Sequence, residues 1–121
     1  MGGIIMNFFT PAEVAKNYIA TGKSKVNTPI PKMIILAILA GAFIGFGGVG
    51  ATTVAVSITE PSLGKFIGAC VFPGGLTMVL IAGSELFTGN CLLTIPLLEK
   101  EITVSQMLKN WVIVYIGNLI G

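Results

Sequence analysis

The sequence has no histidine and no arginine, and only 10% of its residues are charged. Seven lysines and five acidic residues leave a formal net charge of +2, and without arginine no guanidinium fork is available to bind phosphate. Nucleic acid is therefore not expected as a partner. The sequence also has no serine–histidine, cysteine–histidine or paired-carboxylate arrangement, which argues against an enzyme.

Cysteine is equally scarce. Cys70 and Cys91 lie 21 residues apart in apolar stretches, and neither has neighbouring ligands at the spacing of a metal site. Cysteine without such partners commonly behaves as a small buried hydrophobe. We expect no structural metal, no cofactor and two unpaired, buried thiols.

Apolar side chains, in contrast, make up 54% of the chain. A soluble domain of this length could not keep that much apolar surface out of water. Residues 33–59 form a run of 27 positions without a charge, enough for about 40 Å of helix against a hydrocarbon core of about 30 Å. The sequence therefore predicts a single all-α integral membrane domain, with residues 33–59 as its first span.

A short amphipathic helix is predicted ahead of that span, over residues 10–22. Thr10 is a suitable N-cap, Pro11 fits the first helical position, and Glu13 completes a capping box. Gly22 is expected to end the helix. This segment fits either a membrane surface or a plain helix packed on the body of the protein.

The second span is too long to be one helix. Residues 66–98 comprise 33 positions, about 50 Å if helical throughout, and Glu85 lies at a depth where lipid penalises a charge. We predict a break at residues 83–90, midway through the membrane. Irregular backbone at that depth is tolerated only where protein or a water-filled cavity satisfies its polar groups, so the break is expected to line a cavity.

A third span is predicted over residues 103–121, with an interfacial entry over 103–109 and a membrane segment from Asn110. That segment has only twelve residues, fewer than the roughly 20 needed to cross, so the sequence looks truncated. Most lysines precede the first span or follow the second, which predicts a cytoplasmic N-terminus. Three spans with one broken helix form the kind of unit that inverted repeats duplicate.

Several segments together resemble the formate/nitrite transporter family: Phe72-Pro73-Gly74-Gly75-Leu76, Gly83-Ser84-Glu85-Leu86-Phe87-Thr88-Gly89-Asn90, and Lys109-Asn110-Trp111 with Tyr115 and Gly117-Asn118-Leu119-Ile120-Gly121. The resemblance implies an aquaporin-like fold of two inverted repeats in the cell inner membrane. It also implies a homopentamer with one pore per protomer for formate, nitrite or hydrosulfide. This chain resembles the first repeat and would need the second, which holds the central pore histidine of the family.

The resemblance assigns the hydrophobic constrictions of the pore to Phe72, Leu76, Leu86 and Phe87. It makes Thr88 a polar contact for the permeating anion, and the positive end of the second half-helix extends that contact to Gly89 and Asn90. Thr88 could equally serve only as an N-cap, and the two phenylalanines could be ordinary core.

Glu85 would repel an anion if it faced the pore ionised. We expect its carboxylate instead to accept backbone N–H bonds and to hold the shape of the loop, with a proton relay as the alternative. A neutral-solute channel of water or glycerol type is the alternative function. It is disfavoured because the chain lacks the Asn-Pro-Ala loops typical of those channels.

Overall fold

A computed structural model describes residues 8–121, and within that range every regular element is helical. One 3-10 helix, Cys91–Leu93, lies between the fifth and sixth α-helices. The α-helices are α1 (Pro11–Val26), α2 (Ile30–Val56), α3 (Pro61–Val71), α4 (Pro73–Ala82), α5 (Phe87–Asn90), α6 (Thr94–Leu98) and α7 (Val104–Ile120).

Helix α1 begins as predicted but runs four residues beyond its predicted end. The Thr10 hydroxyl accepts from the backbone N–H of Glu13, and the Glu13 carboxylate accepts from the N–H of Thr10 at 2.7 Å. The prediction that Gly22 ends the helix is wrong, because Gly22 is buried inside α1. A Cβ atom there would lie 2.7 Å from Pro96 Cγ, so glycine permits the close contact between α1 and α6.

Within residues 8–121, two helical segments are long and apolar enough to cross a membrane: α2, and α3 taken together with α4. Little of either segment is buried within the chain. α2 starts at Ile30 rather than residue 33, because Pro31 fits the first turn of a helix. α3 and α4 are separated only by Phe72, an interruption not predicted from the sequence. Pro73 follows it, and proline has no N–H to continue the backbone hydrogen bonds of α3.

The outward faces of these helices have large apolar side chains. Ile35, Phe46, Leu80 and Ile81 are each at least 66% exposed within the chain. Cys70 and Cys91 are also exposed, so the prediction that they are buried is wrong. The physical reason is that apolar residues of a membrane helix can face lipid instead of a protein core.

The chain leaves helical geometry at Gly83, which ends α4 with φ +60°, a backbone conformation that favours glycine. Regular helix resumes at Phe87. The N–H of Glu85 donates to the carbonyl of Leu36 at 3.2 Å, and Leu36 lies six residues, or about 9 Å, beyond Ile30. The break therefore lies beside the first half of α2, and its depth midway through the membrane stays a prediction.

Helix α7 packs along the first half of α2. Thr103 and Gln106 form a capping box at its start, and the helix is continuous from Val104 to Ile120. Its Gly117 contacts Ala37, and backbone atoms of Asn118 contact Gly41, so small residues allow the two helices to approach closely. A buried cluster of Met33, Ala37 and Val114 joins α2 to α7.

Candidate functional site at the helix break

The backbone of the break, residues 83–86, is held by groups from neighbouring helices. The side chain of Asn118 makes three hydrogen bonds: its nitrogen donates to Glu85 O in the break at 2.9 Å and to Ala37 O of α2 at 2.8 Å, and its oxygen accepts from Phe87 N, at the start of α5, at 2.8 Å. One side chain of α7 thus satisfies polar backbone groups on both α2 and the break. This meets the requirement that irregular backbone in a membrane be satisfied by protein.

Glu85 is buried, with 6% of its surface exposed. One carboxylate oxygen accepts from Lys25 Nζ at 2.9 Å and from Asn90 Nδ2 at 2.8 Å. The expectation that backbone N–H groups hold this carboxylate is therefore wrong, because Lys25 of α1 is close enough to supply the opposite charge. A buried carboxylate is tolerated when it is both paired and hydrogen-bonded.

A polar network continues from Glu85 into α7. Asn90 is fully buried, and its side-chain nitrogen also donates to Asn110 Oδ1 at 2.8 Å. The indole N–H of Trp111 donates to the carbonyl oxygen of Asn90 at 2.8 Å. The side-chain oxygen of Asn90 has no hydrogen-bond partner among residues 8–121. Asn90, predicted as an anion contact, thus uses its donor nitrogen to fix the position of α5.

Helix α1 contacts the break at a second point. The Tyr18 hydroxyl donates to the carbonyl oxygen of Gly89 at 3.2 Å. Burial, followed by the nearby charge of Glu85 and then by Cys91, raises the pKa of Tyr18 above its ordinary value of 10.0. The phenol therefore stays protonated and able to donate at neutral pH. Together, the hydrogen bonds of Lys25 and Tyr18 hold α1 against the break and the start of α5.

A cavity of about 390 Å³ opens beside the break, and we call it the break cavity. Five of the residues singled out in the sequence line it: Leu76, Leu86, Thr88, Gly89 and Asn90. Tyr18 and Lys25 also line it, although neither was predicted from the sequence as a site residue. The distance between α1 and α5 in the sequence explains the omission, since no local pattern connects positions more than 60 residues apart.

Phe72 and Phe87 are placed elsewhere. Phe72 lies between α3 and α4 and is 46% exposed, whereas Phe87 packs edge-on against Trp111 and Tyr115. The ring centroids of Phe87 and Tyr115 are 5.4 Å apart. Neither phenylalanine lines the break cavity within residues 8–121. Each stays a predicted constriction outside the break cavity.

Thr88 is exposed on α5, and its hydroxyl has no hydrogen-bond partner among the described residues. The N-cap of α5 is Leu86, so the alternative that Thr88 serves only as an N-cap is wrong. Its hydroxyl is free to bond a small molecule in the break cavity. Over residues 8–121, no group of three histidine, cysteine or acidic side chains could hold a metal ion.

The chain matches known transport proteins over most of its length. The sequence profile described as formate/nitrite transporter matches residues 12–121. The chain is 40% identical over 120 residues to a probable formate transporter of Methanothermobacter thermautotrophicus, covering 95% of this chain and 44% of that protein. No solved structure matches the chain significantly.

Two relatives are named as channels. Identity is 40% over 119 residues with the formate channel BtFdhC of Bacillus thuringiensis, covering 96% of this chain and 46% of that protein. Identity with the formate channel FocA of Escherichia coli K12 is 35% over 113 residues, covering 92% of this chain and 40% of FocA. The chain therefore spans less than half the length of these relatives.

Proposed function

Because the chain belongs to the formate/nitrite transporter family, we propose that it forms one repeat of a membrane channel for small monovalent anions. The observation that carries the proposal is the interruption of an apolar helix at residues 83–86 beside a cavity. Irregular backbone within a membrane is tolerated only where it is buried in protein or lines a water-filled cavity. The break has both surroundings, because Asn118 bonds its backbone on one side and the break cavity opens beside it on the other. A water-filled passage accounts for the cavity beside an interrupted helix.

In this proposal, Leu76 and Leu86 narrow the passage on the side that this chain supplies. Apolar side chains at a constriction disfavour large or strongly hydrated ions, because such ions must lose water to pass. Phe72 and Phe87 complete the narrowing where a second repeat approaches. The Thr88 hydroxyl offers one hydrogen bond, worth about 1 kcal/mol net, which orients an ion without trapping it.

Formate, nitrite and hydrosulfide are the anions that suit such a passage, since each is small and monovalent. The amides of Thr88 and Gly89 lie in the first turn of α5, where helical N–H groups lack partners within the helix. Glu85 does not oppose an anion there, because the charge of Lys25 offsets its own. No covalent chemistry is required.

The proposed assembly is a homopentamer of aquaporin-like protomers, each built from two inverted three-span repeats. Lys23 of α1 pairs with Glu101 at 2.6 Å, so α1 and the turn between α6 and α7 lie at the same end of the molecule. Six lysines belong to that end, and Lys65 lies near the opposite end, at the start of α3. The positive-inside rule then makes the lysine-rich end cytoplasmic in the cell inner membrane.

The test is a chimera in which this chain replaces the matching 119-residue segment of the formate channel BtFdhC. Proteoliposomes that contain the chimera should take up formate faster than protein-free vesicles, and Thr88→Val should slow the uptake several-fold. Nitrite, hydrosulfide and glycerol are compared under the same conditions. A chimera that inserts and conducts glycerol but no anion would favour the neutral-solute alternative over our proposal.

A further inference from the structure

A second cavity, of about 650 Å³, lies at the junction of α1 and α2, and we call it the junction cavity. It shares Lys25, Val79, Leu80 and Ser84 with the break cavity. Its remaining walls come from the end of α1, the link to α2, the first turns of α2, the end of α4, and Gly83 and Glu85 of the break, where the carboxylate of Glu85 is paired with Lys25. The transport proposal assigns it no role.

One side of the junction cavity is positively charged and rich in hydroxyl groups. Lys32, in the first turn of α2, has no carboxylate within 4 Å among residues 8–121, whereas the charge of Lys25 is paired with Glu85. No side chain caps the N-terminus of α2, so its free N–H groups add partial positive charge. The hydroxyls of Thr21 and Ser24 also line this side.

The other side of the junction cavity is apolar and continues onto the outer surface. Leu36, Val79, Leu80 and Ala82 line it. Leu80 is 72% exposed, and the adjacent Ile81, at 83%, belongs to the apolar face of α4. A ligand that fits both sides therefore needs an anionic head and a hydrocarbon tail.

The size of the junction cavity also argues for a ligand larger than the transported anion. A water molecule takes about 30 Å³ of liquid, so the cavity has room for about 20 water volumes, whereas a formate-sized ion needs only one or two. Basic pockets between membrane helices on the cytoplasmic side are typical sites for anionic lipid headgroups. We propose that the junction cavity binds the phosphate of an anionic phospholipid at Lys32, with an acyl chain along Leu36 and Leu80.

Lipid retention tests this directly. The chain is purified in mixed micelles with equal amounts of phosphatidylglycerol and phosphatidylcholine, and bound lipid is counted by native mass spectrometry. Wild type should retain phosphatidylglycerol preferentially, and Lys32→Gln should lower that retention about fivefold. Lys109→Gln is the matched control, because Lys109 is an exposed lysine of α7 outside the junction cavity. It should leave retention unchanged.

A further variant tests whether lipid retention depends on the shape of the junction cavity or only on a general attraction of anionic lipid to a basic protein. Ser24→Phe adds no charge but fills the junction cavity from α1, and it should also lower retention. Equal losses in the two lysine variants, or no loss in Ser24→Phe, would overturn the proposal. So would displacement of the lipid by soluble glycerol phosphate at equal concentration, since that would show that the acyl chain contributes nothing. None of these readouts measures flux, so their failure leaves the transport proposal untouched.

Discussion

Replacing Asn118 by leucine should destabilise the break more than any other single polar substitution in α7. The change removes three hydrogen bonds, and bonds of this kind in membrane proteins average about 0.6 kcal/mol each, or about 2 kcal/mol together. It also leaves the N–H of Phe87 without its acceptor, at a cost of about 1–3 kcal/mol. With the bond to Phe87 counted once, at this larger cost, the free energy of unfolding should fall by about 2–4 kcal/mol.

Trp111 supplies the assay, since it is the only tryptophan and its indole N–H bonds to Asn90 next to the break. Its fluorescence is followed while the protein in mixed micelles is titrated with dodecyl sulfate. Asn17→Leu is the matched control, because Asn17 is exposed on α1 and has no side-chain partner among residues 8–121. If Asn118→Leu costs no more than this control, the side chain does not hold the break as we describe.

Three further predictions concern packing, charge and pH. Gly41→Ala should cost about 1–3 kcal/mol in the same titration because a Cβ there meets the backbone of α7, whereas Gly45→Ala, with open space around it, should be neutral or stabilising. Lys25→Met leaves the buried carboxylate of Glu85 uncompensated and should cost about 3 kcal/mol, and adding Glu85→Gln should recover most of that loss. Folding raises the pKa of Tyr18, so the contribution of Tyr18 to stability is fully present below pH 10.0 and is lost as the pH rises through the pKa of the folded state. Tyr18→Phe should abolish that alkaline loss of stability. Phenolate absorbance and unfolding are measured against pH.

These predictions fail in distinct ways. Equal costs for the two alanine variants would mean that the contact between α2 and α7 is looser than described. If Lys25→Met combined with Glu85→Gln is as unstable as Lys25→Met alone, Lys25 stabilises the break through packing rather than through its charge. If the alkaline loss of stability persists in Tyr18→Phe, another titrating group causes it.

Local sequence patterns could predict those features of the fold that depend on neighbouring residues. Thr10 and Glu13 form a capping box, a motif of fixed spacing. Glu85 could be recognised as a charge inside an apolar run, and the structure places it within the interruption from Gly83 to Leu86. Both inferences required only adjacent residues and the thickness of a bilayer.

Contacts between distant segments could not be predicted in this way. Glycine often marks the end of a helix, but Gly22 lies within α1 and makes room for Pro96. Pro96 lies 74 residues further along the chain. The partner of Glu85 is a lysine 60 residues away, so the sequence suggested local backbone groups instead. The triple hydrogen bonding of Asn118 depends on the register of α7 against α2, which only tertiary packing sets.

The most direct test of the account is whether the break meets water inside the membrane. In a Cys70→Ser/Cys91→Ser background, Thr88→Cys and Ile81→Cys are each treated in vesicles with an anionic, membrane-impermeant thiosulfonate, which reacts with the hydrated thiolate. Thr88 lines the break cavity, whereas Ile81 is highly exposed on the apolar outer face of α4. We predict rapid modification at position 88, slowed by formate, and almost none at position 81. Equal protection of both positions would contradict a water-filled passage at the break.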